Sequence, residues 1–299
     1  MSMKIENSTI QPIQSDFEPV KAQSSTKTTT EKKPHLDKVA GSGRIAKWFS
    51  QAGIYSLGNS KLKKTIDEKI TDRLKLKERR KITNLENILN KAINFCLEDG
   101  YSEDIDPDWF FSFIKMAEEI YSPPMQDLWG KIFAVESSKP GSFSLNTLQL
   151  LKCLTQKDAL VFRRALNFAS RQKGDHSPKL LIGYYRKKTL WSFLSPHNGD
   201  QLNLAQFGLS YPDLLALMDL GLIHHSEIES GEITLGDALE WRVAGHNMTL
   251  AAKRRGLTLV YFKFTSTGTE LSKLVNSQKQ DNYVMALRQQ LSAVFNISS

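Results

Sequence analysis

The sequence predicts a mainly α protein with a smaller α+β part: a helical bundle carrying a long basic helix, followed by a winged-helix-like C-terminal module. Three observations lead there. Residues 61–99 contain neither proline nor glycine. Residues 100–172 repeat clear helix-start signals, each ahead of an apolar stripe. Residues 202–275 change to short helical patterns followed by strand-like runs. The expected division is a disordered tail over 1–40, a helical bundle over 41–172 with the long basic helix at 61–99, and the winged-helix-like module with a last helix over 173–299.

Composition sets the limits. A chain of 299 residues with 40% hydrophobic and 24% charged residues is long enough for one large or two ordinary globular domains. The N-terminus lacks the apolar core of a signal peptide, and no apolar run is long enough to span a bilayer. Cys96 and Cys153 are the only cysteines, with no CxxC or zinc-like spacing, which points to a reducing cytoplasm and to unbridged, buried thiols. Scattered histidines argue against a metal site, and no cofactor is implied. Of the net charge of +8, residues 1–99 hold +7, from 19 Lys/Arg minus 12 Asp/Glu.

The tail is read from Q-S-S-T-K-T-T-T at 23–30 and the scarcity of large apolar residues around it. After it, Ile45, Trp48, Phe49 and Ala52 fall at i, i+3, i+4 and i+7, one face of a short helix expected to dock on the protein's own core. With Arg44 and Lys47 beside it, the segment 44–57 also has the makings of a membrane-surface contact. G-S-G at 41–43 follows no strand and so does not make a phosphate loop.

In the long helix, Leu62, Ile66, Ile70 and Leu74 form one stripe; Leu85, Ile88, Leu89, Ala92, Ile93 and Cys96 form another. Between them lies R-L-K-L-K-E-R-R-K (73–81). At 1.5 Å per residue the run would extend about 58 Å, more than a small domain is wide. Arg73, Lys75, Lys77, Arg79, Arg80 and Lys81 are therefore candidates for contact with nucleic acid or a protein partner. Residues 100–162, with five Lys/Arg against nine Asp/Glu, supply an acidic counterpart within or between subunits.

The bundle's punctuation is plain. Asp106-Pro107-Asp108 gives an N-cap, a first-turn proline and a first-turn acid ahead of Trp109, Phe110, Phe113, Ile114 and Ala117. Ser122-Pro123 repeats the device before Met125, Leu128, Trp129, Ile132 and Phe133. Thr155 and Asp158 make a capping box before Leu160, Val161 and Phe162.

Between two helical runs lies E-S-S-K-P-G-S-F-S (136–144), the stretch that most resembles a site. A nucleophilic serine needs a base, yet no histidine lies between His35 and His176. The glycine and lysine pattern of a P-loop is missing too. The structural alternative explains more: Pro140-Gly141 turns the chain, and Ser142 or Ser144 caps a helix with Leu145, Leu148 and Leu151 inward. Glu136 sits on the apolar stripe near a helix C-terminus, where the dipole disfavours its charge. Its carboxylate is expected to accept hydrogen bonds from the next helix's first N–H groups or the loop serines, making Glu136, Pro140, Gly141, Ser142 and Ser144 a structural clasp.

D-P-D-W-F (106–110), M-Q-D-L-W-G-K-I-F-A-V-E (125–136) and P-G-S-F-S-L-N-T-L-Q-L-L-K-C-L (140–154) resemble the signature of an uncharacterised, mainly gammaproteobacterial family. Its pattern reads D-P-D-W, L-W-x-K-I-L-A-x-E, P-G-S-F-S-L-R-T-L. Asn146 stands where that pattern has arginine. The resemblance implies no catalytic residues. A fainter likeness to helical abortive-infection proteins implies a role in phage defence.

In the C-terminal third, Leu204–Phe207 reads as a short helix and residues 211–223 as a helix closed by Gly221. L-I-H-H-S-E-I-E, L-E-W-R-V and L-T-L-V-Y-F-K-F read as strands, T-G-T-E (267–270) as a capping box, and Val284, Leu287, Leu291, Val294 and Phe295 as a final amphipathic helix. Helix, helix, hairpin with a long insertion, then F-T-x-x-G-x-E-L is similar to a winged helix. The would-be recognition helix carries Asp213 and Asp219 and no cation, so it does not suit base edges or phosphates; Lys253, Arg254 and Arg255 sit where a wing would be. These features predict a non-catalytic interaction or scaffold protein that assembles with itself or a protein partner. The alternative is a nucleic-acid-binding protein using the basic helix over 61–81.

Overall fold

The computed structural model describes residues 35–55, 64–95, 104–187 and 199–298, of which 35–41 are described by backbone alone. Residues 1–34 of the expected tail, Leu62 at the start of the long helix and Cys96 near its end lie outside the described residues. The chain divides into two compact units, residues 1–73 and Leu74–Ser299.

In the first unit, helix α1 (His35–Gln51) begins ten residues before Ile45 and takes G-S-G at 41–43 into its interior. Ile45, Trp48 and Phe49 are exposed, so the face expected to dock on a core is uncovered among the described residues. Helix α2 (Ile66–Phe95) starts in this unit, where Thr65 and Glu68 exchange backbone-to-side-chain hydrogen bonds.

The second unit is built on helices α3 (Pro107–Ala117), α4 (Pro123–Ser138), α5 (Leu145–Cys153) and α6 (Gln156–Asn167). Local chemistry starts them as expected. Asp106 caps α3, Ser144 caps α5, and Thr155 with Asp158 forms the capping box of α6. Ser122 precedes α4 without a side-chain cap bond. Trp109, Phe113, Trp129, Ile132, Leu148 and Phe162 are buried, whereas Leu160 turns outward. Cys153, expected to be buried, is a free and exposed thiol.

The remainder overturns the winged-helix expectation. It contains an eight-stranded antiparallel sheet: β1 (Ala169–Gln172), β2 (Lys179–Arg186), β3 (Gly199–Gln201), β4 (Ile228–Glu229), β5 (Ala238–Val243), β6 (His246–Ala252), β7 (Leu257–Lys263) and β8 (Phe295–Ser298). The order is β4-β7-β2-β1-β5-β6-β8, with β3 paired to β2. L-E-W-R-V is β5 and L-T-L-V-Y-F-K-F is β7; β2 and β1 lie between them, and β7 pairs with β4 and β2. β5 pairs with β6, joined through the Ala244-Gly245 turn. Of L-I-H-H-S-E-I-E, Ile228–Glu229 is a strand and Ile223 an isolated bridge. A 3-10 turn (Leu204–Phe207) and helices α7 (Tyr211–Asp219), α8 (Ser266–Ser272) and α9 (Asp281–Ser292) complete the unit.

Nor do α3–α6 form a free-standing bundle. One continuous hydrophobic core runs from Ile88, Trp109 and Trp129 through Leu180, Leu181 and Trp241 to Leu287 and Phe295. The sheet supplies its share from fully buried runs such as L-L-I in β2 and L-T-L-V-Y-F in β7. Fully buried Tyr283 of α9 donates its hydroxyl to Leu181 O at 2.5 Å, fixing α9 to β2.

Candidate functional site

Helix α4 ends at Ser138, and the chain turns through Pro140 and Gly141, whose φ of +78° lies in the left-handed region that suits glycine. Glu136, only 2% exposed, closes this turn from inside. One carboxylate oxygen accepts the Gly141 amide at 2.6 Å and the other accepts the Phe143 amide at 2.9 Å. The donors are thus loop amides, in place of the expected serine hydroxyls or first-turn amides of α5. Ser142 Oγ donates to Lys139 O at 2.7 Å, and Ser144 caps α5.

The loop is also held from outside, by side chains far from it in the chain. Glu270 of α8 accepts the Ser144 amide at 2.7 Å, the Ser144 hydroxyl at 3.0 Å and the Thr147 hydroxyl on the same oxygen. Lys273, one turn on, donates to Ser142 O at 3.0 Å and lies 5.5 Å from the centre of the Phe143 ring. Trp109 of α3 donates its indole N–H to Phe143 O at 2.7 Å. Both serine hydroxyls are engaged in capping and neither bonds an imidazole. The arrangement ties α3, the α4–α5 hairpin and α8 together, which is mechanical work. The T-G-T-E pattern predicts that Glu270 closes a capping box opened by Thr267. The helix opens instead at Ser266, with Thr265 as its cap, and this leaves the Glu270 carboxylate free to reach the hairpin.

The basic helix is oriented by a buried polar contact. Asn84 donates to Glu118 O at 2.7 Å and accepts from Gln126 at 3.1 Å, while Gln126 also donates to Ile120 O at 2.9 Å. Gly130 of α4 lets the helices meet closely, since a Cβ there would stand 2.5 Å from Lys91 Cβ. Asn84, Ile88 and Ala92 face this junction. Lys81 pairs with Glu118 at 2.7 Å, and Lys91 with Asp127 at 2.7 Å, so part of the basic helix meets the acidic segment within one chain.

With that face fixed, another is turned out. Lys75, Arg79, Ile82, Glu86, Leu89 and Ile93 follow one another at spacings of four, three, four, three and four, a single stripe along the helix. Ile82, Leu89 and Ile93 are 51%, 54% and 61% exposed. Lys75, Lys77 and Arg79 are exposed, Arg80 is half-buried, and none of the four has a carboxylate partner among the described residues. Arg73 is exposed in the first unit. The other candidate cations lie elsewhere: Lys253, Arg254 and Arg255 form the exposed turn from β6 to β7, where Lys253 caps the end of α9 by donating to Ser292 O at 2.6 Å.

Residues 68–288 match the family described as "Protein of unknown function (DUF2806)". The chain belongs to this family. No curated protein and no solved structure matches the chain. The matched span holds the clasp, the exposed stripe of α2 and the whole sheet except β8, and leaves α1 outside. Among the described residues no group of three or more His, Cys, Asp or Glu is placed to hold a metal ion, and no helix is long and apolar enough to cross a membrane.

Proposed function

We propose that this is a non-catalytic interaction protein that docks a protein partner on the outward stripe of α2. The observation that carries this is the stripe itself: three aliphatic side chains more than half exposed in register with cations that lack carboxylates. Exposed apolar rows on a polar helix usually mark partner contacts. Charge complementarity indicates a partner presenting an apolar groove edged with acidic side chains. A second copy of this chain pairing through the same stripe would bring Lys75, Lys77, Arg79 and Arg80 against the single carboxylate of Glu86, so it fits less well. The hydroxyls of Ser138, Ser142 and Ser144 are spent on structure, and no chemistry is assigned to them.

A second reading is favoured by one specific feature: Lys75, Lys77, Arg79 and Arg80 are an unpaired cationic run of the kind that tracks a phosphate backbone. It leaves Ile82, Leu89 and Ile93 without a purpose, because phosphates do not call for aliphatic contacts. A cytoplasmic location belongs to this proposal through the two cysteines without CxxC spacing, and a gammaproteobacterial distribution and a role in phage defence through sequence resemblance alone. Capture of partners by the full chain at low salt, with and without nuclease, separates the readings. A nuclease-resistant partner lost on Leu89→Asp supports protein docking. A set of partners released by nuclease and by Lys75→Glu/Arg79→Glu, but indifferent to Leu89→Asp, supports nucleic acid.

A further inference from the structure

A cleft of about 480 Å³ lies over β1, β5, β6 and the β1–β2 turn. Strand register places Arg171 of β1 directly opposite Arg242 of β5, and Arg242 opposite Asn247 of β6. Opposed residues on neighbouring antiparallel strands project from the same face with their Cβ atoms about 5 Å apart, and like charges so placed repel. Arg171 and Arg242 are both exposed, and partial desolvation together with the charge of Arg242 holds the Arg171 guanidinium below its usual pKa.

Nothing in the described protein neutralises the pair. Arg171 has one long contact, to Ser272 Oγ of α8 at 3.4 Å, and Arg242 has no ion pair. The two carboxylates in the cleft are already taken: Glu240 by Lys173 at 2.9 Å and Asp175 by Lys179 at 2.6 Å. Lys179 is itself buried and lies over the rings of Trp241 and Tyr261. A fold that sets two guanidiniums side by side, and spends every nearby acid elsewhere, leaves a cationic fork that an anion with several oxygens can bridge.

We infer that the Arg171–Arg242 cleft binds the phosphate group of a small ligand, with Asn247 offering its amide alongside. The volume is that of a small-molecule site. A polynucleotide suits it less, because the unpaired cations of the cleft are confined to one cross-strand pair, while Lys173 and Lys179 beside it are held by Glu240 and Asp175 and are not free to follow a continuing backbone. The inference does not depend on the α2 surface, whose variants leave this cleft untouched.

Titration calorimetry of the full chain in low-salt buffer tests it, with inorganic pyrophosphate and inorganic phosphate as probes. Saturable pyrophosphate binding is expected. It should weaken at least tenfold in Arg171→Gln and in Arg242→Gln, and less in Arg242→Lys, which keeps the charge and loses the fork. Stronger binding of pyrophosphate than phosphate assigns a polyphosphate ligand; the reverse assigns a monoester. Thermal unfolding without anion guards against trivial misfolding, because relief of the repulsion should leave Arg242→Gln melting no lower than the parent chain. Undetectable binding of both probes, equal affinity in the glutamine variants, or Arg171-dependent binding confined to an oligonucleotide would overturn the inference.

Discussion

One carboxylate oxygen of Glu270 accepts both the backbone amide and the hydroxyl of Ser144, a residue 126 positions earlier in the chain. Through this side chain, together with Lys273, α8 holds the α4–α5 hairpin from outside. Removing it leaves the α5 cap without its anchor. Glu270→Ala should destabilise the protein by about 1–3 kcal/mol, the loss expected for charge-assisted bonds. Urea unfolding should show a lower midpoint with an unchanged slope. An unchanged midpoint would mean that the hairpin closes without Glu270.

Glu136 closes the same loop from the inside, and its burial makes the comparison of two variants informative. Glu136→Ala strands the Gly141 and Phe143 amides and should cost about 2–4 kcal/mol. Glu136→Gln retains an acceptor for one of them and should cost less. Hydrogen exchange at those two amides should accelerate in the alanine variant before exchange in the sheet does. Equal protection in both variants would remove Glu136 from the account.

Asp175 gives a pH signature. Its hydrogen bond from Lys179, helped by the Ser177 amide and opposed by partial burial, lowers its pKa from 3.8 to about 2. A depressed carboxylate contributes stability that is fully present above its unfolded value and is lost as pH falls through the folded one. Stability should therefore decline between about pH 4 and pH 2 from this group. Asp175→Asn should flatten that limb and lower stability at neutral pH by leaving Lys179 buried without its anion. A variant with the parent's full acid limb would contradict this.

Gly130 tests the docking of α2. A methyl at this position collides with Lys91 Cβ at 2.5 Å and approaches Ala92 N at 3.0 Å. Gly130→Ala should cost about 1–3 kcal/mol as overpacking, despite alanine's better helix propensity. A gain in melting temperature would show that α2 is not held against α4 in this way.

What was legible in the sequence was local. Asp106, Ser144 and Thr155 announce helix starts because a cap bonds amides two or three residues away. The sheet was not legible in the same way. The runs that became β5 and β7 are each strand-like, but nothing in either says that β2 and β1 will come between them. K-L-L-I-G-Y-Y-R, buried over most of its length, lacks the alternation that marks a half-exposed strand. H-N-M-T-L-A-A has that alternation, and it gives no partner. The Arg171–Arg242 pair exists only once register is set, and Glu270 meets Ser144 only once α8 lies on the hairpin. The outward stripe of α2 was hidden for a different reason. Leu89 and Ile93 share a window with Ile88 and Ala92, and periodicity alone does not tell which of two adjacent apolar rows the core will take.

The α2 surface yields a further prediction about stability. Ile82→Asp and Leu89→Asp replace exposed side chains and should change unfolding free energy by no more than about 0.5 kcal/mol. A large loss of stability would mean that these residues are covered in the folded protein, and would withdraw them as a docking surface.

The most direct test of that surface is a photo-crosslinking side chain placed at Leu89 and activated in the native cell. The account predicts a discrete protein adduct that disappears when Ile82→Asp is added and survives nuclease treatment. Adducts to nucleic acid alone, or no adduct from position 89 while the chain is abundant and folded, would contradict it.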